Sequence, residues 1–180
     1  MITTKEMQAL EASCGIPTLE LMRNAGTKLA EELVKRWPGG KILFVCYHGN
    51  NGGDGFVAAR LLGADVWFVG DKNKLTPAAK ANFHGLTLVT DPDLSSYDVL
   101  VDALLGTGTT GELREPLASL CSQWHAAAAA KVAVDIPTGV DPDTGVAGKF
   151  FSCECVITFY DTKPGLATFN NVVVVDIGIC

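Results

Sequence analysis

"KILFVCYHGNNGGDGFVAARLLG", Lys41 to Gly63, sets an apolar run, a glycine-rich loop and a helical pattern end to end. Ile42 to Tyr47 is apolar throughout and reads as a buried strand, while residues 57–63 read as a short helix. Between them His48 to Phe56 packs four glycines around Asn50, Asn51 and Asp54. Glycines in that number predict a backbone that bends sharply or lies against a ligand.

Outward from this unit the alternation recurs. Short apolar runs stand at 41–47, 65–69, 86–90, 99–103, 131–135, 154–159 and 171–176, and most gaps can hold a helix. Thr76 to His84 is one, with Thr76 as N-cap, Pro77 in the first turn and Gly85 after its end. Ahead of the first strand, residues 3–15 carry hydroxyls before Glu6 and stop at Gly15, as a capped helix does. Residues 17–37 follow, with Leu19, Met22, Leu29, Leu33 and Val34 on a helical period and Pro17 in the first turn. Near-continuous apolar strands between helices predict a mostly parallel sheet covered on both faces. The expected fold is α/β: a Rossmann-like three-layer α/β/α sandwich, doubly wound, with an N-terminal helical extension, forming one domain over 1–180.

Bulk composition agrees. A chain of 180 residues, 48% hydrophobic and 19% charged, suits one globular core. The net charge of −6 and the absence of any Lys/Arg cluster argue against nucleic acid and anionic membrane as partners. "ITTKEMQALE" after Met1 is too polar for a signal peptide, and no apolar stretch approaches the ~20 residues of a membrane span. A cytoplasmic location is expected. Cys14, Cys46, Cys121, Cys153, Cys155 and Cys180 form no C-x-x-C pair, and the three histidines are dispersed, so reduced thiols are expected. Cys153 and Cys155, two apart, are expected on one face of a strand.

A doubly wound sheet binds ligands at the carboxyl ends of its strands, where the winding reverses. In the common 3-2-1-4-5 order, strands 41–47, 99–103 and 131–135 lie side by side. The loops after them, "HGNNGGDG", "LLGTGTTGELREP" and "IPTGVDPDTG", are the richest in glycine, acid and hydroxyl. Gly106, Gly108 and Gly111 spell G-x-G-x-x-G, but "ELREP" follows and Pro116 marks the helix start, so the dinucleotide fingerprint does not fit. A P-loop is absent. In the first loop Gly52 and Gly53 are expected to leave N–H groups open as an anion site, and Asn50 and Asn51 to tolerate left-handed backbone. Asp54 reads most simply as the cap of the following helix. An amide oxygen from this loop, Asp102 and Thr138 make a hard-oxygen set of low charge, suited to a monovalent cation. The plain structural reading of Asp102 is a carboxylate accepting N–H bonds from the glycine loop.

"GNNGGDGFVAARLL", "DALLGTGTTGELREPL", "VAVDIPTGVDPDTG", "TFYDTKPGL" and "VVVVDIGI" stand in this order, and together they resemble the motifs of the NAD(P)H-hydrate epimerase family, the YjeF N-terminal domain. The resemblance runs from about Leu21 to Ile179 and is weakest over 65–98. It implies a homodimer that epimerises NADHX and NADPHX at C6, so that a stereospecific dehydratase can repair both forms. It further implies that Asn50, Asn51, Gly52, Gly53 and Asp54, then Gly106, Thr107, Gly108, Thr109, Thr110, Gly111 and Glu112, and Asp135 contact the hydrated nucleotide. Asn51, Asp102 and Thr138 would hold potassium (K+), with a backbone carbonyl near Val140 or Asp141 joining them. Thr138 stands where serine is commoner. The chain ends at Cys180, just after the last motif, so a separate dehydratase is the expected functional partner.

Asp135 is the expected acid–base group, against the plain reading of a strand-end carboxylate bracing the "PTG" turn. Lys163 in "TKPG" is a weaker candidate, for phosphate binding; the plain reading is a solvated lysine beside a turn. Two other functions compete: a non-catalytic nucleotide-binding or scaffold module of the same fold, and an NAD-dependent oxidoreductase built on the Gly106 loop.

Overall fold

In the computed structural model, which describes residues 1–108 and 111–179, the seven apolar runs become seven strands. They are β1 Ile42–Cys46, β2 Asp65–Phe68, β3 Thr87–Val89, β4 Val99–Ala103, β5 Ala130–Val134, β6 Cys155–Phe159 and β7 Val172–Val175. All pair in parallel, in the order β3-β2-β1-β4-β5-β6-β7. The winding reverses between β1 and β4, where the expected order puts it, and the sheet then continues through two more strands. β1, β4 and β6 are buried at every position, so both of their faces must be covered.

The helices are α1 Thr4–Ser13, α2 Thr18–Arg36, α3 Asn50–Leu62, α4 Pro77–Asn82 and α5 Leu117–Ala126. Helix α1 opens on a capping box: Glu6 N donates to Thr3 Oγ1 at 3.3 Å, and the Glu6 carboxylate accepts from Thr3 N at 2.8 Å. Helix α4 follows its punctuation, with Ala79 N donating to Thr76 Oγ1 at 3.3 Å. Pro17 sits one step outside α2, at its N-cap.

Helices α2, α3 and α4 cover one face, packing against Phe44, Cys46, Val101, Val134 and Ile157. Helix α5 covers the other, where Trp124 and Phe151 meet Leu43, Val45 and Leu100. The three layers are thus as expected, but the crossovers are less regular. No α-helix joins β5 to β6 or β6 to β7; the second gap holds only a 3-10 turn, Pro164–Leu166. These coils are held by their own backbone bonds, Phe151 N to Thr138 O at 2.9 Å and Gly165 N to Pro142 O at 2.7 Å. Cys153 precedes β6 and packs with Ala133 and Val156, whereas Cys155 joins the α2–α3 core, so the two thiols do not share a face. The cysteines at 14, 46, 121, 153 and 155 are free; Cys180 lies outside the described residues.

The largest departure is α3. It begins at Asn50, with Gly49 as N-cap, so the glycine-rich stretch is the first turns of a helix rather than a loop. None of its glycines or asparagines has positive φ. Its glycines instead allow close packing. A Cβ on Gly52 would run into the Tyr47 carbonyl oxygen, and one on Gly55 would lie 2.7 Å from Ala103 Cβ. On α2, a Cβ on Gly26 would lie 2.8 Å from the Asp54 carbonyl oxygen. Without side chains at these points the helix can seat against both β1 and α2.

Candidate functional site

The carboxyl ends of β1, β4 and β5 open on one cleft of about 990 Å³. The reversal of winding between β1 and β4 leaves the loops diverging there, as in other doubly wound sheets. Asn50, Asn51 and Asp54 form one wall, and Gly106, Thr107, Gly108, Gly111 and Glu112 form another, with Asp135 between β5 and the following turn. Thr109 and Thr110 lie outside the described residues. Gly52, Gly53, Asp102 and Thr138 do not line the cleft; the glycines are packed inside and the other two are fully buried beneath it. The Gly106 motif is not a dinucleotide fingerprint, because α5 starts only at Leu117 and Gly111 stays outside it.

The helix start changes several roles. Asn50, Asn51 and Gly52 occupy the first three positions of α3, whose N–H groups have no intrahelical acceptor and face the positive end of the helix dipole. Gly53 N–H is not open, since it donates to Gly49 O at 3.1 Å. Asp54 does not cap the helix; it lies in the second turn. Burial pushes its carboxyl well above the usual range, and the negative charges of Asp135 and Glu11 add to the effect. The Asn50 side-chain carbonyl accepts from Thr76 Oγ1 at 2.6 Å, tying α3 to the cap of α4.

Below the cleft, Asp102 stands one residue before the end of β4 with no exposed surface. Its Oδ1 accepts from Thr138 Oγ1 at 2.7 Å and Leu104 N at 3.2 Å, and Oδ2 accepts from Thr138 N at 2.8 Å. Burial outweighs these bonds and pushes the carboxyl up to about 7. Asp102, rather than Asp135, therefore braces the "PTG" turn. Asn51 is buried as well, yet among the described residues neither Oδ1 nor Nδ2 has a hydrogen-bond partner. A buried amide left unpaired costs about 1–3 kcal/mol, so its polar atoms call for partners. An oxygen-loving cation would satisfy Oδ1 and also offset the desolvation of Asp102. Nδ2, a donor, requires an acceptor instead. The donor set thus fits a cation of low charge. No group of three or more His, Cys, Asp or Glu side chains suited to a metal occurs among the described residues.

Asp135 adopts φ 65, left-handed for a residue with a side chain, and its N–H donates to Ile157 O at 2.8 Å. Oδ1 meets Lys163 Nζ at 2.7 Å and Thr158 Oγ1 at 3.0 Å. Lys163 is not solvated; its side chain is 1% exposed. The sequence pointed to α1 as a capped helix but not to its place at the cleft, where it brings Gln8 and Glu11, nor to the Tyr47–His48 pair, with ring centroids 3.9 Å apart. Glu11 had no local signal. Burial lowers the His48 imidazole, with Lys74 adding, and its Nδ1 accepts from Asp71 N at 3.3 Å.

These features define a doubly wound α/β domain with a ligand cleft at its topological switch point, built from a helix N-terminus, carboxyl groups and a buried oxygen set. The chain belongs to a known family of such domains: the family model described as YjeF-related protein N-terminus matches residues 18–165. It is 42% identical to the bifunctional NAD(P)H-hydrate repair enzyme Nnr of Archaeoglobus fulgidus, covering 99% of this chain and 41% of that protein. The chain therefore spans about two fifths of the length of that bifunctional relative. It is also 33% identical to the NAD(P)H-hydrate epimerase of Rhodobacter capsulatus, over 99% of both chains. The crystal structure of the yeast protein ynu0 superposes with a TM-score of 0.84 at 21% identity, covering 98% of this chain and 87% of that one, and shares the fold. Among the described residues, no helix is long and apolar enough to cross a membrane.

Proposed function

We propose that the protein is an NAD(P)H-hydrate epimerase that interconverts the R and S forms of NADHX and NADPHX at C6. The observation that carries this reading is the pairing of two unlike carboxyls at one cleft. Asp135 stands as the carboxylate of an ion pair with Oδ1 engaged, while Asp54 is pushed toward its neutral form. Such a pair supplies both an acid and a base in a site of restricted water. The relatives named NAD(P)H-hydrate epimerase supply the substrate.

In the proposed reaction the neutral Asp54 carboxyl gives its proton to the C6 hydroxyl. The C6–O bond breaks with help from the ring nitrogen lone pair, releasing water and leaving an iminium ion. A water then adds to either face, its oxygen bonding C6 and its proton passing to Asp135. The return of that proton to Asp54 through water resets the site. The N–H groups of Asn50 and Asn51, which line the cleft, are suited to a phosphate of the nucleotide. Asn51, Asp102 and Thr138 would hold potassium, which when bound supplies positive charge beneath the cleft. The homodimer and a dehydratase partner, as a separate chain or a fused domain, belong to the same reading.

The test is incubation of (R)-NADHX with the purified protein, resolved by chiral-phase chromatography against the spontaneous rate. Wild type is expected to accelerate appearance of the S form, and Asp135→Asn to lower that rate by roughly 10²–10⁴ while binding stays within a few fold. Binding without acceleration would point to the scaffold function; hydride transfer would point to the oxidoreductase.

A further inference from the structure

Lys163 is the one buried lysine among the described residues. An ammonium taken from water is costly unless every proton finds an acceptor. Here all three do. Nζ donates to Asp135 Oδ1 at 2.7 Å, to Thr158 Oγ1 at 2.8 Å and to Phe159 O at 2.9 Å. The Thr158 hydroxyl, itself fully buried, donates a hydrogen bond to Asp135 Oδ1 at 3.0 Å, closing a triangle.

The triangle is built from the carboxyl end of β6 and the coil after it, whereas Asp135 follows β5. Strand pairing brings them together, and the bond from Asp135 N to Ile157 O locks the approach. Both donors reach Oδ1, and no hydrogen bond among the described residues engages Oδ2, although Asp135 lines the cleft. The other charged groups facing Asp135 are acids, Glu11 from α1 and Asp54 from α3. Lys163 is the cation in direct contact with it.

A lysine that merely filled space here could be replaced by a buried apolar side chain at no loss. We propose that Lys163 is a positioning residue of the site: with Thr158 it holds Oδ1 of Asp135 from inside the protein, offsets the surrounding acids, and leaves Oδ2 as the oxygen that takes and returns the proton. The inference rests on the epimerase reading and on the role given to Asp135. Lys163 then acts on the reaction only through Asp135, and that dependence is measurable.

The experiment compares wild type, Lys163→Met, Asp135→Asn and the double variant, with kcat and KM for (R)-NADHX measured above the spontaneous rate. Lys163→Met is expected to lower kcat by about 10²-fold or more with KM within a few fold. In the Asp135→Asn background the same change should alter kcat by less than about threefold, because the carboxylate it serves is gone. Equal losses in both backgrounds, or an unchanged kcat in the single variant, would overturn the proposal. If Lys163→Met does not fold, Thr158→Val takes its place. It removes one donor to Oδ1 without changing charge, and should show the same dependence on Asp135 at smaller size; an equal loss in both backgrounds again overturns the idea. A fully active Asp135→Asn would sink the Asp135 assignment together with this proposal. An inactive Asp135→Asn beside a fully active Lys163→Met would sink the Lys163 role alone.

Discussion

Two side chains at the cleft carry opposite electrostatic burdens, and each makes a prediction. Asn51 is a buried amide with no partner among the described residues, so Asn51→Leu should melt higher than wild type in a potassium-free buffer, by removing a desolvated polar group. Potassium in place of sodium should raise the melting temperature of wild type and leave that of the variant unmoved; calorimetric scans showing equal shifts in both would put the cation elsewhere. Asp54 titrates above an unfolded aspartate, whose value is near 3.9. Its neutral form therefore favours the fold below about pH 4, and that contribution is lost as pH rises through the higher folded value. Asp54→Asn stays neutral throughout, so its melting temperature relative to wild type should climb between pH 4 and pH 8. A constant difference across that range would mean the carboxyl is not desolvated. Lys163 marks the limit of sequence reading at this scale. Its partner Asp135 follows another strand, and a lysine beside "PG" gives no local hint of burial. The pairing of Asp102 with Thr138 was legible because strand ends and glycine turns announce where polar side chains gather.

Among the elements, strands and capped helices were the most legible. Unbroken apolar runs gave β1 and β4 almost to the residue, and Thr76, Pro77 and Gly85 bracketed α4. Helix α3 was not legible at its start, because glycine has the poorest helix propensity short of proline and no side chain to show a period. Tertiary docking overrode that propensity. The glycines are not equivalent, however. A Cβ at Gly52 would strike the Tyr47 backbone, which cannot yield, whereas one at Gly53 would meet chiefly the end of the buried Met22 side chain, Sδ at 2.5 Å, with the Ala79 backbone farther off at 3.2 Å. Gly52→Ala should accordingly lower the melting temperature by several degrees, for an overpacking cost of about 1–3 kcal/mol, and Gly53→Ala by clearly less. Propensity alone predicts a gain of up to about 1 kcal/mol for each. A thermal scan in which both variants gain stability would show that close packing does not govern this helix.

For the molecule as a whole, the sheet sets where the cleft lies and α1 closes one side of it with Gln8 and Glu11. Ile2 N donates to Thr162 O at 2.9 Å, and Thr4 N donates to Asp143 Oδ1 at 2.8 Å, so α1 is tied across the coils that follow β5 and β6. Asp143→Ala should loosen that tie and raise KM by roughly two- to fivefold with kcat little changed; an unaltered KM would disconnect α1 from binding. No property of residues 1–15 taken alone foretold this closure, which depends on coils more than a hundred positions away. The glycine-bearing start of α3 reaches further still. A segment too glycine-rich to hold helical shape by itself should keep it only while packed on β1 and α2. Its amides should then exchange with solvent through a partial opening well below the global unfolding free energy, ahead of those in β1 and β4. Ligand or cation at the cleft would slow that exchange selectively, so the site finishes its own scaffold when it is filled.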